Sequence, residues 1–208
     1  MKNEERRKQT IRQLIEATQA LLEERSCHLI TIQDVMARSG LSKGAIFHYV
    51  KSRDELFAWV LQARLEALNE RFFEAVDANQ VASFDGPMQA IADNLIQLED
   101  PSDITNKVLL YLAGKEDDPV VAESLRQFHD HSVHYTREWI ATGQRHGVIK
   151  DSVDASVTAE LFVMLSLGLR MRASLLPAST VLSAAELADY MGRLLRHTDP
   201  PIDKEEPL

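Results

Sequence analysis

Between Thr31 and Lys51 the chain gathers residue types that suit contact with a polyanion better than they suit a reaction. Lys43, Gly44, Ala45, Phe47, His48 and Tyr49 stand almost in a run, with Ser42 before them and Lys51 and Arg53 just after. Lysine can donate to guanine O6 or N7, alanine can meet a thymine methyl, and glycine lets a backbone come close. Thr31, placed at a helix start, offers a hydroxyl and free backbone N–H groups to a phosphate. Nothing comparable supports catalysis: there is no P-loop, nucleophile elbow, HExxH or glycine-rich dinucleotide turn. Cys27 lies beside His28 without a placed partner and reads as a small buried apolar residue. As the one cysteine in the chain it excludes an internal disulfide framework and fits a reducing compartment.

The local signals say which elements hold those residues. Thr31 is a good N-cap, with Asp34 three residues on as its near-capping-box partner. That helix ends near Ser39-Gly40, where glycine supplies the left-handed residue of a tight turn. Ser42 caps a second short helix running to about Tyr49, whose Ile46 and Val50 should face a core. Ser52 and Glu55 form an S-x-x-E box opening a long helix to about Asn79. Two short helices joined by a glycine-containing turn form a helix-turn-helix, whose second helix can lie in the major groove. The other periodic stretches also read as helices: Glu5–Arg25, Met88–Leu98 after a break at Ser83–Pro87, Ile104–Ala113, Pro119–His146, Asp154–Leu176 and Ser183–His197. No alternating run is long enough for a strand, so the chain is expected to be all-α.

Net charge is −9, unevenly spread: residues 1–55 hold ten Lys/Arg against eight Asp/Glu, and the remainder thirteen against twenty-four. Such a split suggests a module that tolerates polyanions joined to one that has no need to. The most apolar stretch, Ala155 to Leu176, contains Glu160, Arg170 and Arg172 and is a poor membrane span. With a charged N-terminus and no secretory core, a cytoplasmic protein without membrane attachment is expected.

The stretch LSKGAIFHYVKSRDELF resembles the TetR/AcrR-type transcriptional regulators. Their pattern has a Ser-Lys-Gly opening, an aromatic triplet, a lysine, and a basic-acidic-Glu-Leu-Phe run. In helix order the resemblance spans the whole chain. It implies an N-terminal three-helix helix-turn-helix DNA-binding domain over 1–51. A long helix joins it to a helical ligand-binding and dimerisation domain over 52–199, followed by a flexible tail over 200–208. The resemblance places Lys43, Gly44, Ala45 and Phe47 against base edges, and Thr31, His48, Tyr49 and Lys51 against phosphates, with Ser42 at the helix start. Phe47 departs from the pattern, which more often has Tyr there, and so lacks a phosphate-directed hydroxyl. Arg6, Arg7, Lys8 and Arg12 either add electrostatic attraction or form a solvated face.

In the larger domain the resemblance implies a homodimer through the last two long helices, which suits a palindromic DNA site. Leu161, Met164, Leu165, Leu167, Gly168, Leu169 and Met171 make the first of these apolar nearly all round, and Leu187, Tyr190, Met191, Leu194 and Leu195 stripe the second. The helices between Met88 and Trp139 would enclose a small-molecule cavity. Candidate lining is Met88, Ile91, Leu95, Leu109, Leu112, Leu125, Phe128, Tyr135, Trp139 and Phe162, with Arg170 facing an anion or pairing with Glu160. His129, Asp130, His131 and His134 hold metal-ligand types, but no second cluster completes a shell, so no metal or other cofactor is expected. The reading is a repressor released from double-stranded DNA by a lipophilic or aromatic effector. The alternatives are a ligand-independent architectural DNA-binding protein or, less well supported, an enzyme.

Overall fold

The computed structural model describes residues 2–78, 95–176 and 182–196. Its regular structure there is helical, apart from an antiparallel bridge between Ile149 and Arg196. Eight α-helices are described: α1 (Lys2–Glu24), α2 (Ile32–Ser39), α3 (Lys43–Phe47), α4 (Arg53–Ala78), α5 (Ile104–Ala113), α6 (Pro119–Arg145), α7 (Ala155–Leu175) and α8 (Ala184–Leu195), with a 3-10 turn at Cys27–Leu29. The expected Ser83–Pro87 break, the helix from Met88 up to residue 94, Pro177 and the 200–208 tail lie outside the described residues.

Caps set the boundaries. Thr31 and Asp34 complete a reciprocal capping box on α2, and Gly40 turns the chain at φ 71°. Ser42 accepts from the Ala45 N–H to start α3. This helix is shorter than its sequence suggests, because the chain has left it at His48, whose N–H still reaches the Gly44 carbonyl. At α4, Ser52 accepts from the Glu55 N–H (3.1 Å), but the Glu55 carboxylate takes the Lys51 N–H at 2.6 Å. Asp103, Asp118 and Asp154 cap α5, α6 and α7, and Ser183 with Glu186 forms a second capping box on α8.

Two cores hold these helices together. The first joins Leu14, Leu22, Ile30, Val35, Ile46 and Val50 of the reading head to Leu56, Phe57 and Val60 of α4 and to Ile104, Val108 and Leu112 of α5. Packing therefore runs straight across residue 51. The second core lies among α6, α7 and α8, with Ile140, Ile149, Phe162, Leu169, Leu187 and Met191. Leu187, Met191 and Leu195 thus pack within the chain, leaving Tyr190 as the exposed member of the α8 stripe, at 52%.

Gly143 shows how tight this second core is. A Cβ built there would stand 2.5 Å from Ile149 Cδ1 and 2.7 Å from Cγ1. Gly143→Ala is expected to destabilise the protein by about 1–3 kcal/mol through overpacking. Thermal denaturation of Gly143→Ala and of Gly143→Ala/Ile149→Val checks this, the second variant recovering part of the loss.

Candidate functional site

The reading head presents α3 outward. Ile46 and Val50 are buried in the first core, which fixes the rotation of the segment. Lys43, Gly44, Phe47 (41% exposed) and His48 are left at the surface, with Ala45 and Tyr49 half-buried. The Lys43 ammonium sits 5.9 Å from the Phe47 ring centroid, and His48 meets Tyr49 edge-to-face at 5.1 Å. A shallow groove beside them is lined by Arg6, Arg7, Ile11, His48, Tyr49 and Trp59. Two cations of α1 therefore join the exposed end of the α3 segment.

Gly44 has ordinary negative φ, and a Cβ there would meet nothing within 4 Å. No constraint inside the protein asks for glycine at this position. At Thr31 the hydroxyl donates to Asp34 Oδ2 (2.6 Å) and the backbone N–H to the same oxygen (2.8 Å). Hydrogen bonds from the Thr31 hydroxyl, then its backbone, hold the Asp34 carboxyl below its ordinary pKa, with Arg25 adding a 2.9 Å ion pair. An incoming phosphate would thus meet the orphan N–H groups of Ile32 and Gln33 more readily than Thr31 itself.

Behind the head lies a polar latch to α5. Arg53 donates to the Ile30 carbonyl and to the Tyr111 hydroxyl. Tyr111 donates in turn to Asp54 Oδ1 at 3.1 Å, and Lys115 donates to Asp54 Oδ2 at 2.5 Å and to Tyr111 at 2.6 Å. Lys107 reaches the Leu22 carbonyl at 2.6 Å, and the buried Cys27 thiol, its pKa pushed up by burial, points at the Lys107 carbonyl. Lys107, Tyr111 and Lys115 recur every four residues beside an apolar helix face. That stripe is the sequence signal which locates the latch.

Burial disfavours the Lys115 charge, but its bonds to Asp54 and Tyr111 outweigh that and raise its pKa above 10.5. A raised folded pKa stabilises below the ordinary value, and the contribution fades as pH climbs through the folded one. Melting temperature is expected to fall between about pH 10 and 12, and to fall less steeply in Lys115→Met.

The other face of α5 walls a cavity of about 390 Å³ shared with α4, α6 and α7. Of the residues expected there, Leu95, Leu109, Leu125, Phe128, Trp139, Phe162 and Arg170 line it, together with Leu65, Leu68 and Phe72 of α4. Trp139 stacks on Phe72 with ring centroids 5.0 Å apart and donates to Asn69 Oδ1 at 2.9 Å. Two expectations change. Leu112 points into the first core, since it shares the face of Val108 rather than that of Leu109. Tyr135 sits outside the cavity, close to the rings of His131 and His134. Met88 and Ile91 lie outside the described residues.

Arg170 pairs with Asp103 and Asn106 rather than Glu160. Ten residues along one helix separate Glu160 from Arg170 by about 15 Å, beyond side-chain reach. Glu160 instead meets His129 at 3.3 Å, while His131 bonds Gln62 and His134 bonds Arg137. Among the described residues no three His, Cys, Asp or Glu side chains are grouped to hold a metal ion.

Residues 14–60 match the family described as "Bacterial regulatory proteins, tetR family". No curated protein sequence matches the chain. Of solved structures, a TetR transcription regulator from Haloarcula marismortui is 20% identical, covering 91% of this chain and 100% of its own, at a TM-score of 0.64. The reduced form of NemR from E. coli is 14% identical over 92% and 100%, at 0.65. A candidate transcriptional regulator from Saccharomonospora viridis, solved in complex with choline, is 19% identical over 89% and 95%, at 0.58. At such identities these likenesses are ones of fold. Residues 14–60 thus carry the helix-turn-helix of the bacterial tetR-family regulatory proteins, and the chain shares the fold of these solved regulators. No described helix is long and apolar enough to cross a membrane.

Proposed function

We propose that the protein is a homodimeric repressor that leaves a palindromic operator when a small, largely apolar molecule fills the α4–α7 cavity. Lys43, Gly44, Ala45 and Phe47 face base edges, while Ser42, His48, Tyr49, Lys51 and the start of α2 at Thr31 hold phosphates. The observation that carries the reading is the double role of α5. Leu109 and Leu110 wall the cavity, while Lys107 and Tyr111, with Lys115 just beyond, bond to the reading head and the start of α4. A molecule that displaces α5 must strain or release that latch. The ligand favours whichever head position fits its own contacts, which a differential affinity of a few kcal/mol suffices to select.

Support for a homodimer comes from α7, whose Val157 (66%), Leu161, Met164 (60%) and Leu167 stay exposed, as does Tyr190 of α8. Monomers rarely leave so continuous an apolar face in water. The cavity favours a regulator over an architectural protein, which would need none, and the S. viridis protein shows that a chain of this fold holds a small organic molecule. The proposed boundary between DNA-binding and effector regions is residue 51, where α3 has ended and α4 begins.

The test is fluorescence anisotropy of the full chain on the DNA upstream of its own gene, with competitor DNA at two salt concentrations. Sequence-specific binding that weakens steeply with salt supports the reading. Binding no tighter than to competitor, repeated on sites recovered by genome-wide selection, overturns it. Sedimentation of the same sample gives the oligomeric state, and a monomer at the concentration of DNA binding rules out the dimeric form.

A further inference from the structure

Among the described residues the cavity carries an unbalanced positive charge set against an apolar, aromatic wall. Arg64 of α4 and Arg170 of α7 converge on one carboxylate, Asp103: Arg64 donates to Oδ2 at 2.5 Å and Arg170 approaches Oδ1 at 3.8 Å. Asp103 is already occupied, because its Oδ1 caps α5 by accepting from the N–H groups of Thr105 and Asn106. Arg64 is also held by the Thr105 hydroxyl at 2.9 Å. Arg170 is the member that reaches the cavity, where it forms part of the lining. One of its nitrogens donates to Asn106 Oδ1. Its Nε and other Nη have no hydrogen-bond partner among the described residues.

Asn106 holds this arrangement rigid. Its amide donates to the carbonyls of Gln97 (3.0 Å), Leu98 (3.0 Å) and Asp100 (2.7 Å), fixing Oδ1 toward the guanidinium. Burial lowers the Arg170 pKa to about 10, with Asp103 opposing and Arg64 adding to the shift, so the group stays charged at neutral pH. No Asp or Glu lines the cavity among the described residues, and the nearest alternative, Glu160, is taken by His129. Among the described residues Arg170 and Arg64 share one carboxylate, and a largely buried guanidinium with less than one counter-charge gains from an anion that completes it. The apolar wall around Phe72 and Trp139 begins eight residues along α4 from Arg64, roughly 12 Å away at the helical rise.

We infer that the effector is an amphipathic organic acid, its carboxylate on Arg170 and its hydrocarbon or aromatic body against Phe72, Phe128 and Trp139. This rests on the cavity being the effector site and adds the charge of its occupant. A carboxylate there accepts the open guanidinium donors and supplies the second negative charge that two arginines on one aspartate require. A quaternary ammonium such as choline finds no carboxylate among the described residues of this lining.

Isothermal titration of the full chain with matched probes tests the assignment: octanoate against octanol, 4-phenylbutanoate against 4-phenylbutanol, and choline. Each acid is expected to bind about tenfold or more tightly than its alcohol. That ratio should drop to near one in Arg170→Gln and persist in Arg170→Lys, with circular dichroism confirming that both variants are folded. Alcohols binding as well as acids, choline binding more tightly than either acid, or a preference that survives in Arg170→Gln would each overturn the inference while leaving the cavity as a ligand site. If none of the five probes binds, both the inference and the ligand-responsive reading fall.

Discussion

Lys43→Ala/Lys51→Ala is expected to lose about 100-fold or more in operator affinity while keeping its melting temperature within a degree or two. Both side chains are exposed and neither has a hydrogen bond or ion pair among the described residues, so their removal disturbs no buried packing. Lys43 sits at the start of α3, where a base-edge contact carries about 1–3 kcal/mol of discrimination. In the proposed function Lys51 holds a phosphate, so its loss should weaken all sequences alike and reduce the salt slope by about one. Gly44→Ala separates binding from folding more sharply. The open space around Gly44 means that alanine meets no protein atom. Helix propensity should then raise stability by up to about 1 kcal/mol while DNA affinity falls. Anisotropy and thermal melts on the same preparations decide the matter. Unchanged affinity in both variants would remove α3 from the interface.

Asp54→Asn is expected to destabilise the folded chain by about 2 kcal/mol and to lower the melting temperature by roughly 4–8 °C. The carboxylate is 15% exposed and sits among Lys115, Tyr111 and Arg53, so an amide leaves two cations facing a site that can no longer balance them. Lys115→Met should cost a similar amount, and the double variant distinctly less than the sum, because the two residues act as one latch. Operator affinity should fall in parallel with the loss of the latch, since Arg53 and Lys107 are then the polar ties left beside the shared apolar core between the reading head and α5. Additive losses in stability would show that the pair does not act as a unit.

The reading head was the most legible part of the chain because its signals are local. Caps at Thr31 and Ser42, the glycine turn at 40, and the burial of Ile46 and Val50 all follow from spacing of a few residues. What distance in sequence concealed was the pairing of polar groups. Arg64 stands inside an otherwise apolar pattern, and its partner Asp103 lies 39 residues on. Tyr111 meets Asp54 across 57 residues, and Arg170 meets Asn106 across 64. Helical periodicity predicts that such residues point inward but not which helix will face them. The same gap explains Leu112. One face of α5 serves the first core and the other walls the cavity, and periodicity alone does not say which is which.

The two-sidedness of α5 also bears on how such a protein can change over generations or under directed selection. A substitution at Leu109 or Leu110 that reshapes the cavity acts on the same short helix as Lys107 and Tyr111. Under the proposed function, new ligand preferences gained there arrive with altered resting occupancy of the DNA. Phe128 on α6 and Phe162 on α7 border the same space but carry none of the latch residues. Selectivity can be retuned from that side while the uninduced state is left as it was, which makes those two helices the productive place to build a sensor for a different molecule.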